Sequence, residues 1–555
     1  MPTINVEQSL LRDLVESRGR THDVADLAFR LPLMGTDIDT CNDEVLDIEI
    51  FPDRPDLLSP ETLFHGMMPF LHDSRPNPRL AIKPGTISMK VSPELSTIRP
   101  VILSAVVRGL SINEDIIKRL MDHQEKLHFA LGRGRKRASI GVHDLAKISP
   151  PFRVEAVDRN HSFIPLAMDR EMTIDEILAE HPKGIDYAHL LHGMDKVPII
   201  FDSNDSVLSF PPIINGEHTT VTTNTRDIMI DVTGLDIRAC ESALMLICLQ
   251  LSILGGDIES VRVTGCDGKE WSINGMPIEH KVQRNLVEGI LGNSFTDDQI
   301  EDAISRMGGV YNGDTSGTLS ISMPRWRFDI LHPIDLVEEI AIGHGYDDLS
   351  HDVPKAPLTA IPRSDGQIRR RVREALQGLG LIQIQSLTLS NDNDQFKLMR
   401  WKPDGKTTRM TNPITTEHTI LRQNILPGLL RLLAANRHHD LPQGVYELGT
   451  VVIDHKNRDR FAFLVAEKSG GFASLRGRIQ GLMRDLGCND WSLEPIENGP
   501  WLSGRSAAIV VDGVTIGECG EIDPHVSLSF DLNVPMSGAQ IDMSALSTVV
   551  NDPVH

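Results

Sequence analysis

The sequence lacks several features that would point to particular classes of protein. No apolar run approaches the roughly 20 residues needed to cross a lipid bilayer. The six cysteines are scattered without CxxC spacing, which predicts neither a zinc site nor a disulfide framework and fits a reducing cytoplasm. The first residues, MPTINVEQSLLRDL, lack the basic-then-apolar order of a secretory signal. Walker-type phosphate loops and Rossmann fingerprints are also missing. We therefore expect a cytoplasmic protein that does not bind membranes.

Basic residues are also outnumbered by acidic ones, which gives the chain a formal net charge of −22. Phosphate contacts need concentrated Lys and Arg, so this charge argues against a chain that wraps nucleic acid by itself. Only two dense basic runs stand out, RGRKR at Arg133–Arg137 and RRRVR at Arg369–Arg373. A solvated basic surface is the favoured interpretation of each run, and contact with RNA phosphates is the alternative for the first.

The length of 555 residues predicts three or four domains, because one hydrophobic core cannot serve so long a chain. The proline-rich, polar stretch at 74–85 is typical of a linker, and another proline-rich segment, PKAPLTAIP, lies at 354–362. Capping residues predict where several helices begin: Ser59 before Pro60, Asn113, Thr173 with Glu176, and Thr296 with Gln299.

Four carboxylates stand together in PRWRFDILHPIDLVEEIAIGHGYDD, which spans Pro324 to Asp348. Asp335, Glu338 and Glu339 are spaced i, i+3 and i+4, so a helix would present them within one turn. Asp329 ends a strand-like run shortly before that helix. Hard cations such as Mg²⁺ prefer oxygen ligands of this kind. An acidic, solvated helix start is the alternative, and spacing alone favours it.

This stretch resembles the metal-binding winged module of the phenylalanyl-tRNA synthetase beta subunit family. In that family a Pro-x-x-Arg-x-Asp segment precedes Asp-Leu-x-Glu-Glu and, further on, Gly-Tyr-Asp, and all three parts are present here. The resemblance implies a structural Mg²⁺ site, whose ligands would be Asp329, Asp335, Glu338 and Glu339.

Three further motifs, RKRASIGVHDLAKI, VLSFPPIIN and IDVTG, resemble the proofreading module of the archaeal and eukaryotic members of the family. The resemblance implies a hydrolytic pocket formed by Ser209, Asp231 and Thr233, with Ile200 and Asn215 as weaker candidates. Without it, Asp231 and Thr233 would be read as a strand end and a turn. For the neighbouring pair His143 and Asp144, a structural hydrogen bond is the favoured interpretation.

Proofreading has a physical rationale in this family, because phenylalanine and tyrosine differ by one hydroxyl group. An apolar pocket rejects an isostere with an added hydroxyl by only about 10²-fold, so a second, hydrolytic site is a natural remedy. Polar groups could bind that hydroxyl and position a water molecule on the ester without a covalent nucleophile.

The C-terminal part, with NPITTEHTILRQNILPGLLRLLAANRHHDLPQGVYELGTVV, resembles the class II synthetase-like domain of the same subunit. It has neither the Phe-Arg-x-Glu strand nor the Gly-x-Gly-x-Gly-x-Glu-Arg motif that ATP-dependent activation requires. The resemblance thus implies an α₂β₂ assembly in which a separate alpha subunit uses ATP to attach phenylalanine to tRNA-Phe. A free-standing aminoacyl-tRNA deacylase and a nucleic-acid-binding scaffold are the alternatives.

We therefore expect an α+β multidomain protein with four parts. The predicted parts are an N-terminal mixed module (1–88), a β-rich editing domain (89–268), a winged-helix-like metal-binding module (269–352) and a class II synthetase-like domain with an antiparallel sheet but no catalytic motifs (353–555).

Overall fold

The computed structural model describes residues 2–350 and 364–550. They form two compact units, one before and one after residue 353. The proline-rich segment predicted at 354–362 lies outside the described residues. Within the described ranges, no helix is long and apolar enough to cross a membrane.

Residues 2–72 form a small mixed module in which helices accompany a three-stranded antiparallel sheet of order β1-β3-β2. As predicted, Ser59 caps a helix whose first residue is Pro60, and its side chain accepts a hydrogen bond from the backbone of Thr62. The elements are β1 (Thr3–Glu7), α1 (Gln8–Glu16), α2 (Val24–Arg30), β2 (Thr36–Cys41), β3 (Val45–Ile50) and α3 (Pro60–His72).

The next part of the first unit, at 82–271, contains two large sheets and a short two-stranded sheet. Its elements are β4 (Ile82–Lys83), β5 (Ser88–Val91), β6 (Val101–Arg108), α4 (Glu114–Ala130), β7 (Ala138–Asp144), β8 (Phe152–Asp158), β9 (Ser162–Phe163), β10 (Met172–Thr173), α5 (Ile174–Glu180), α6 (Pro182–Tyr187), β11 (Lys196–Phe201), β12 (Val207–Phe210), β13 (Ile214–Asn215), β14 (Ile228–Gly234), α7 (Ile237–Ile253), β15 (Asp257–Ser260), β16 (Arg262–Thr264) and β17 (Glu270–Trp271). The predicted caps at Asn113 and at Thr173 with Glu176 are confirmed.

The larger sheet has the order β13-β12-β11-β8-β5-β16-β17, and the smaller has the order β4-β15-β6-β14-β7. Alternate residues of β14 enter different cores. Ile228, Ile230 and Val232 belong to the core that also contains the buried helix α7, whereas Met229 belongs to the core shared by the two sheets. Since side chains alternate along a strand, residues 229, 231 and 233 all face away from α7, towards the larger sheet.

The last part of the first unit combines helices with a three-stranded antiparallel sheet of order β18-β20-β19. The predicted capping box at Thr296 and Gln299 is confirmed. The elements are β18 (Ile278–Gln283), α8 (Arg284–Leu291), α9 (Asp297–Arg306), β19 (Val310–Thr315), β20 (Thr318–Met323) and α10 (Pro333–His344).

One expectation for this region is wrong. The run ending at Asp329 is not a strand, because β20 ends at Met323 and the backbone then turns, with the Arg327 N–H donating to the Pro324 carbonyl at 3.0 Å. Pro324 has no N–H with which to extend the strand ladder, which is a physical reason for the ending.

The second unit contains a seven-stranded sheet of order β21-β24-β25-β29-β28-β27-β26, antiparallel except for the pair β21 and β24. The strand predicted at 381–389 is present only at its two ends. A π-helical turn covers Asn393–Lys397. The remaining elements are α11 (Ser364–Gly378), β21 (Ile382–Gln383), β22 (Leu389–Ser390), β23 (Ile420–Leu421), α12 (Leu426–Ala435), β24 (Gln443–Ile453), β25 (Lys456–Ala466), α13 (Phe472–Leu486), β26 (Trp491–Pro495), β27 (Trp501–Val511), β28 (Val514–Ile522), α14 (Pro524–Ser529), β29 (Met536–Asp542) and α15 (Met543–Val549).

Two helical glycines provide a matched test of how closely α9 and α10 pack. A Cβ at Gly343 of α10 would lie 2.0 Å from the Ala303 carbonyl oxygen of α9, whereas a Cβ at Gly289 of α8 would meet nothing within 4 Å. We expect Gly343→Ala to lower the free energy of unfolding by about 1–3 kcal/mol through overpacking. Gly289→Ala should raise it by about 0.5–1 kcal/mol, because alanine restricts the unfolded chain. Urea denaturation of both variants checks this, and equal effects would contradict the close helix contact.

Candidate functional site

Strand β14 places Asp231 in the middle of a fully paired region of sheet. The strand is hydrogen-bonded on both sides, and Asp231 lies opposite Ser104 of β6 and Gly141 of β7. Its side chain is buried, with only 2% of its surface exposed. A carboxylate in such surroundings needs strong hydrogen-bond partners.

His143 supplies such a partner, since its Nε2 lies 3.0 Å from Asp231 Oδ2. The other ring nitrogen, Nδ1, lies 2.9 Å from Thr219 Oγ1. The Thr219 hydroxyl donates its hydrogen to the Gly216 carbonyl at 2.9 Å, so its oxygen accepts from His143 Nδ1–H. One further proton must then lie between His143 Nε2 and Asp231, carried by either the ring or the carboxyl group. The three side chains therefore form one continuous hydrogen-bonded chain.

The glycine opposite Asp231 makes room for this arrangement. A Cβ on Gly141 would lie 1.9 Å from Asp231 Oδ2 and 3.0 Å from His143 Nε2. Any larger residue would displace the carboxylate or the imidazole ring. Gly141 is thus a functional candidate that the motif analysis did not single out.

Asp231 and Ser209 both line a cavity of about 460 Å³. Ser209 Oγ lies 3.2 Å from Asn215 Oδ1, and Asn215 also lines the cavity. The walls are completed mainly by apolar groups, among them Phe210, Ile140 and Met121. A pocket of this size, apolar with a few convergent polar groups, is typical of a small-ligand site. Of the predicted residues, Ile200 is not part of the wall; it is fully buried in the core between the two sheets.

Thr233 is also absent from the described cavity wall and instead binds Arg99. Arg99 Nε donates to Thr233 Oγ1 at 2.7 Å, and Arg99 Nη2 donates to the Thr233 carbonyl at 2.7 Å. Ser139, which does line the cavity, lies 2.9 Å from the same hydroxyl. Burial lowers the pKa of Arg99 to about 10. Thr233 thus anchors a buried guanidinium group beside the cavity.

Two expectations near the cavity need correction. The basic run at 133–137 is not wholly solvated: Arg135 is buried, donates to the Ile213 carbonyl at 2.9 Å and pairs with Glu125 at 2.6 Å. His143 and Asp144 do not bond to each other; His143 contacts Asp231, as described above, whereas Asp144 accepts from Thr225 at 2.8 Å. Adjacent strand residues face opposite ways, which is why this pair is separated.

The four predicted metal ligands lie around α10, but two of them bind an arginine. Arg327 Nη2 contacts Asp329 Oδ2 at 2.5 Å and Glu339 Oε1 at 2.5 Å. Burial raises the pKa of Glu339, although the neighbouring guanidinium group opposes this effect. Glu338 is exposed on the helix surface.

Asp335 has a structural role at the start of α10. Its Oδ2 accepts from the backbone N–H groups of Leu331 and His332, each at 2.6 Å. Across the residues that the structure describes, no group of three or more His, Cys, Asp or Glu side chains is placed to hold a metal ion. In this arrangement, therefore, the four acids do not fit a single Mg²⁺ ion.

Three models of known protein families match successive parts of the chain. The model of the B3/4 domain matches residues 98–245, which contain the cavity and its polar groups. The tRNA synthetase B5 domain matches residues 280–346, and the phenylalanyl tRNA synthetase beta chain CLM domain matches residues 349–543. These matches define a component of an aminoacyl-tRNA synthetase, a mixed α/β protein of several domains.

Full-length relatives make the assignment specific. The chain is 38% identical over 548 residues to the phenylalanine--tRNA ligase beta subunit of Archaeoglobus fulgidus, covering 98% of each chain. It is 36% identical over 549 residues to that of Methanococcoides burtonii, covering 98% of this chain and 100% of the relative. A crystal structure of an N-terminal fragment of the phenylalanyl-tRNA synthetase beta subunit from Pyrococcus horikoshii aligns with a TM-score of 0.58 and 31% identity, covering 62% of this chain and 100% of the fragment. The chain belongs to the family of phenylalanine--tRNA ligase beta subunits.

The contacts of Thr233 generate a prediction about its role. Thr233→Val removes the hydroxyl that accepts from Arg99 Nε and leaves that buried donor without this partner. We expect the free energy of unfolding to fall by about 1–3 kcal/mol. Thr233→Ser keeps the hydroxyl and is the matched control, with a change of less than half that size. Denaturation in urea measures both variants, and an unaffected Thr233→Val protein would rule out the anchoring role.

Proposed function

We propose that this chain is the beta subunit of a phenylalanine--tRNA ligase and works with a separate alpha subunit that uses ATP to charge tRNA-Phe. Near full-length similarity to curated beta subunits supports this proposal. The proposal includes an α₂β₂ assembly in the cytoplasm, which the resemblance to this family implies. Within the chain, we assign residues 1–88 to an N-terminal module, 89–268 to editing, 269–352 to a winged-helix-like module and 353–555 to a non-catalytic synthetase-like domain.

The 460 Å³ cavity is proposed as the site that hydrolyses tyrosine from Tyr-tRNA-Phe. The observation that carries this proposal is the buried Asp231, which His143 holds in the wall of a mainly apolar pocket. The apolar walls suit an aromatic side chain. Polar groups at Ser209 and Asn215 offer partners for a tyrosine hydroxyl or for the ester end of the substrate.

Asp231 has the properties of a general base in this proposal. A carboxylate can take a proton from a water molecule as the water attacks the ester, and such assistance contributes about 10²–10⁴-fold in rate. Because His143 is bonded to Thr219 on its far side, the ring is held in one orientation and can share the proton. Thr233 was predicted as a third catalytic residue; in this proposal it acts indirectly, through Arg99 and Ser139.

A Mg²⁺ site formed by Asp329, Asp335, Glu338 and Glu339 remains a separate proposal. Its support is the sequence resemblance and the proximity of the four residues to α10. Binding would require Asp329 and Glu339 to turn away from Arg327, which both contact in this arrangement.

The editing proposal predicts that Asp231→Ala lowers Tyr-tRNA-Phe hydrolysis at least 100-fold, because the general base is lost. Phenylalanine charging in the presence of the alpha subunit should stay within about twofold, because that chemistry is assigned to the partner. The measurement is release of labelled tyrosine from preformed Tyr-tRNA-Phe. Asp144→Ala is the matched control, since Asp144 bonds to Thr225 and does not line the cavity.

A second variant tests the geometry rather than the charge. Gly141→Ala keeps Asp231 but places a methyl group on its carboxylate, so hydrolysis should fall while charging persists. Full hydrolysis by both Asp231→Ala and Gly141→Ala would refute the assignment of this cavity. Full hydrolysis without any charging partner would instead favour a free-standing deacylase.

Glu338 gives the cleanest test of the metal proposal, because it is exposed and is not bound by Arg327. Glu338→Gln should reduce tightly bound Mg²⁺, measured by atomic emission after dialysis, to less than half of the wild-type stoichiometry. Glu301→Gln, which changes an exposed glutamate on α9, is the control and should retain the ion. Identical Mg²⁺ content in the two variants would count against the site.

A further inference from the structure

A second cavity in the first unit is separate from the proposed hydrolytic pocket. Its volume is about 860 Å³, within the range of about 300–1,000 Å³ that is usual for small-molecule sites. Helix α3, the loop after it, α7 and the turn after β20 all contribute to its walls. None of the residues assigned above to hydrolysis lines it.

Arginine dominates the charged lining of this cavity. Six arginines face it, against only two aspartates, although the chain as a whole carries a net charge of −22. One aspartate, Asp56, is already engaged, because both of its oxygens accept from Arg54 at 2.9 and 3.0 Å. The cavity therefore has an excess of positive charge that its own walls do not neutralise.

Four of these arginines have free side chains. Among the described residues, none of the four guanidinium groups makes a hydrogen bond or an ion pair, and all four are exposed at the cavity mouth: Arg18, Arg20, Arg75 and Arg79. They come from two separate segments, one after α1 and one after α3. Guanidinium groups with unused donors are the usual partners of phosphate oxygens.

The floor of the cavity is aromatic and apolar. Trp326 is only 3% exposed, lines the cavity, and its indole N–H has no acceptor among the described residues. The His65 ring packs edge-on against it, with ring centroids 5.6 Å apart. Phe64 and Leu249 extend this surface. An indole donor without a partner in the cavity wall, beside apolar side chains, suits a planar heterocycle that carries an acceptor.

We propose that this arginine-rimmed cavity binds a nucleotide, with its base against Trp326 and its phosphate at the four free arginines. The floor at Trp326 suits an aromatic heterocycle, and the four arginines suit an anion. A nucleotide carries both groups, because its base is an aromatic heterocycle and its phosphate is anionic. The same chemistry is found in a free mononucleotide and at a terminal or unstacked nucleotide of RNA. The site is distinct from the proposed hydrolytic pocket and does not depend on it.

Binding of AMP to the full-length chain tests the proposal by isothermal titration calorimetry, with adenosine and inorganic phosphate as partial probes. AMP should bind more tightly than either partial probe, and its Kd should rise with salt because exposed charges are screened. The double variant Arg75→Glu/Arg79→Glu should weaken AMP binding at least tenfold. The matched control, Arg262→Glu/Lys281→Glu, makes the same change of charge at exposed residues outside the cavity and should stay within twofold.

The Trp326→Phe variant is an independent test. It should weaken AMP binding but leave phosphate binding unchanged, because the proposal places the base and not the phosphate against Trp326. Competition with tRNA then identifies the source of the ligand: displacement of AMP supports an RNA nucleotide, and retention supports a free one. Absence of AMP binding to the wild-type chain would overturn the proposal. Equal losses in the Arg75→Glu/Arg79→Glu variant and its control would overturn it too, because the effect would then come from overall charge.

Discussion

A carboxylate buried in the middle of a sheet is the constraint around which the candidate hydrolytic site is built. Asp231 lies between two paired strands, where water cannot freely solvate it, so its presence costs folding free energy unless partners compensate. His143 compensates directly, and Gly141 leaves the space that the carboxylate occupies. The burial of Asp231 therefore depends on both of these residues.

Buried guanidinium groups perform a related task elsewhere in the first unit. Arg99 joins Thr233 to Ser139 and to the Arg135 carbonyl at 3.0 Å, and so ties the segment before β6 to β14 and β7. Arg327 joins the turn after β20 to α10 through its two carboxylate partners. Arginine suits this role because its planar group donates in several fixed directions at once. A buried ion pair is weak evidence for net stability, because the cost of desolvating both charges can exceed their attraction.

Local sequence signals predicted much of the fold. Ser59, Asn113, Thr173 and Thr296 were each placed correctly as helix caps, because capping depends on a few neighbouring residues. Motif resemblance also led to Asp231 and Ser209, which share one cavity. The partners of Asp231 could not be read from local patterns. His143 and Thr219 are distant from it in sequence, and only strand pairing and the connection before β14 bring them together. Alternation along β7 could have shown that His143 and Asp144 face opposite ways.

The net charge of the chain is a weak guide to what its cavities bind. At physiological ionic strength the screening length is about 8 Å, so distant surface acids have little influence inside a cleft. The charged groups near each cavity matter more, and they differ between the 460 Å³ and the 860 Å³ cavities. The cavity beside Asp231 is mainly apolar, and the cationic Arg135 at its edge is paired with Glu125. The 860 Å³ cavity has four arginines without an ion pair, and an indole N–H without an acceptor, among the residues that the structure describes. An excess of acid over the whole sequence is thus compatible with an internal surface that attracts anions, because charge acts locally in a folded protein.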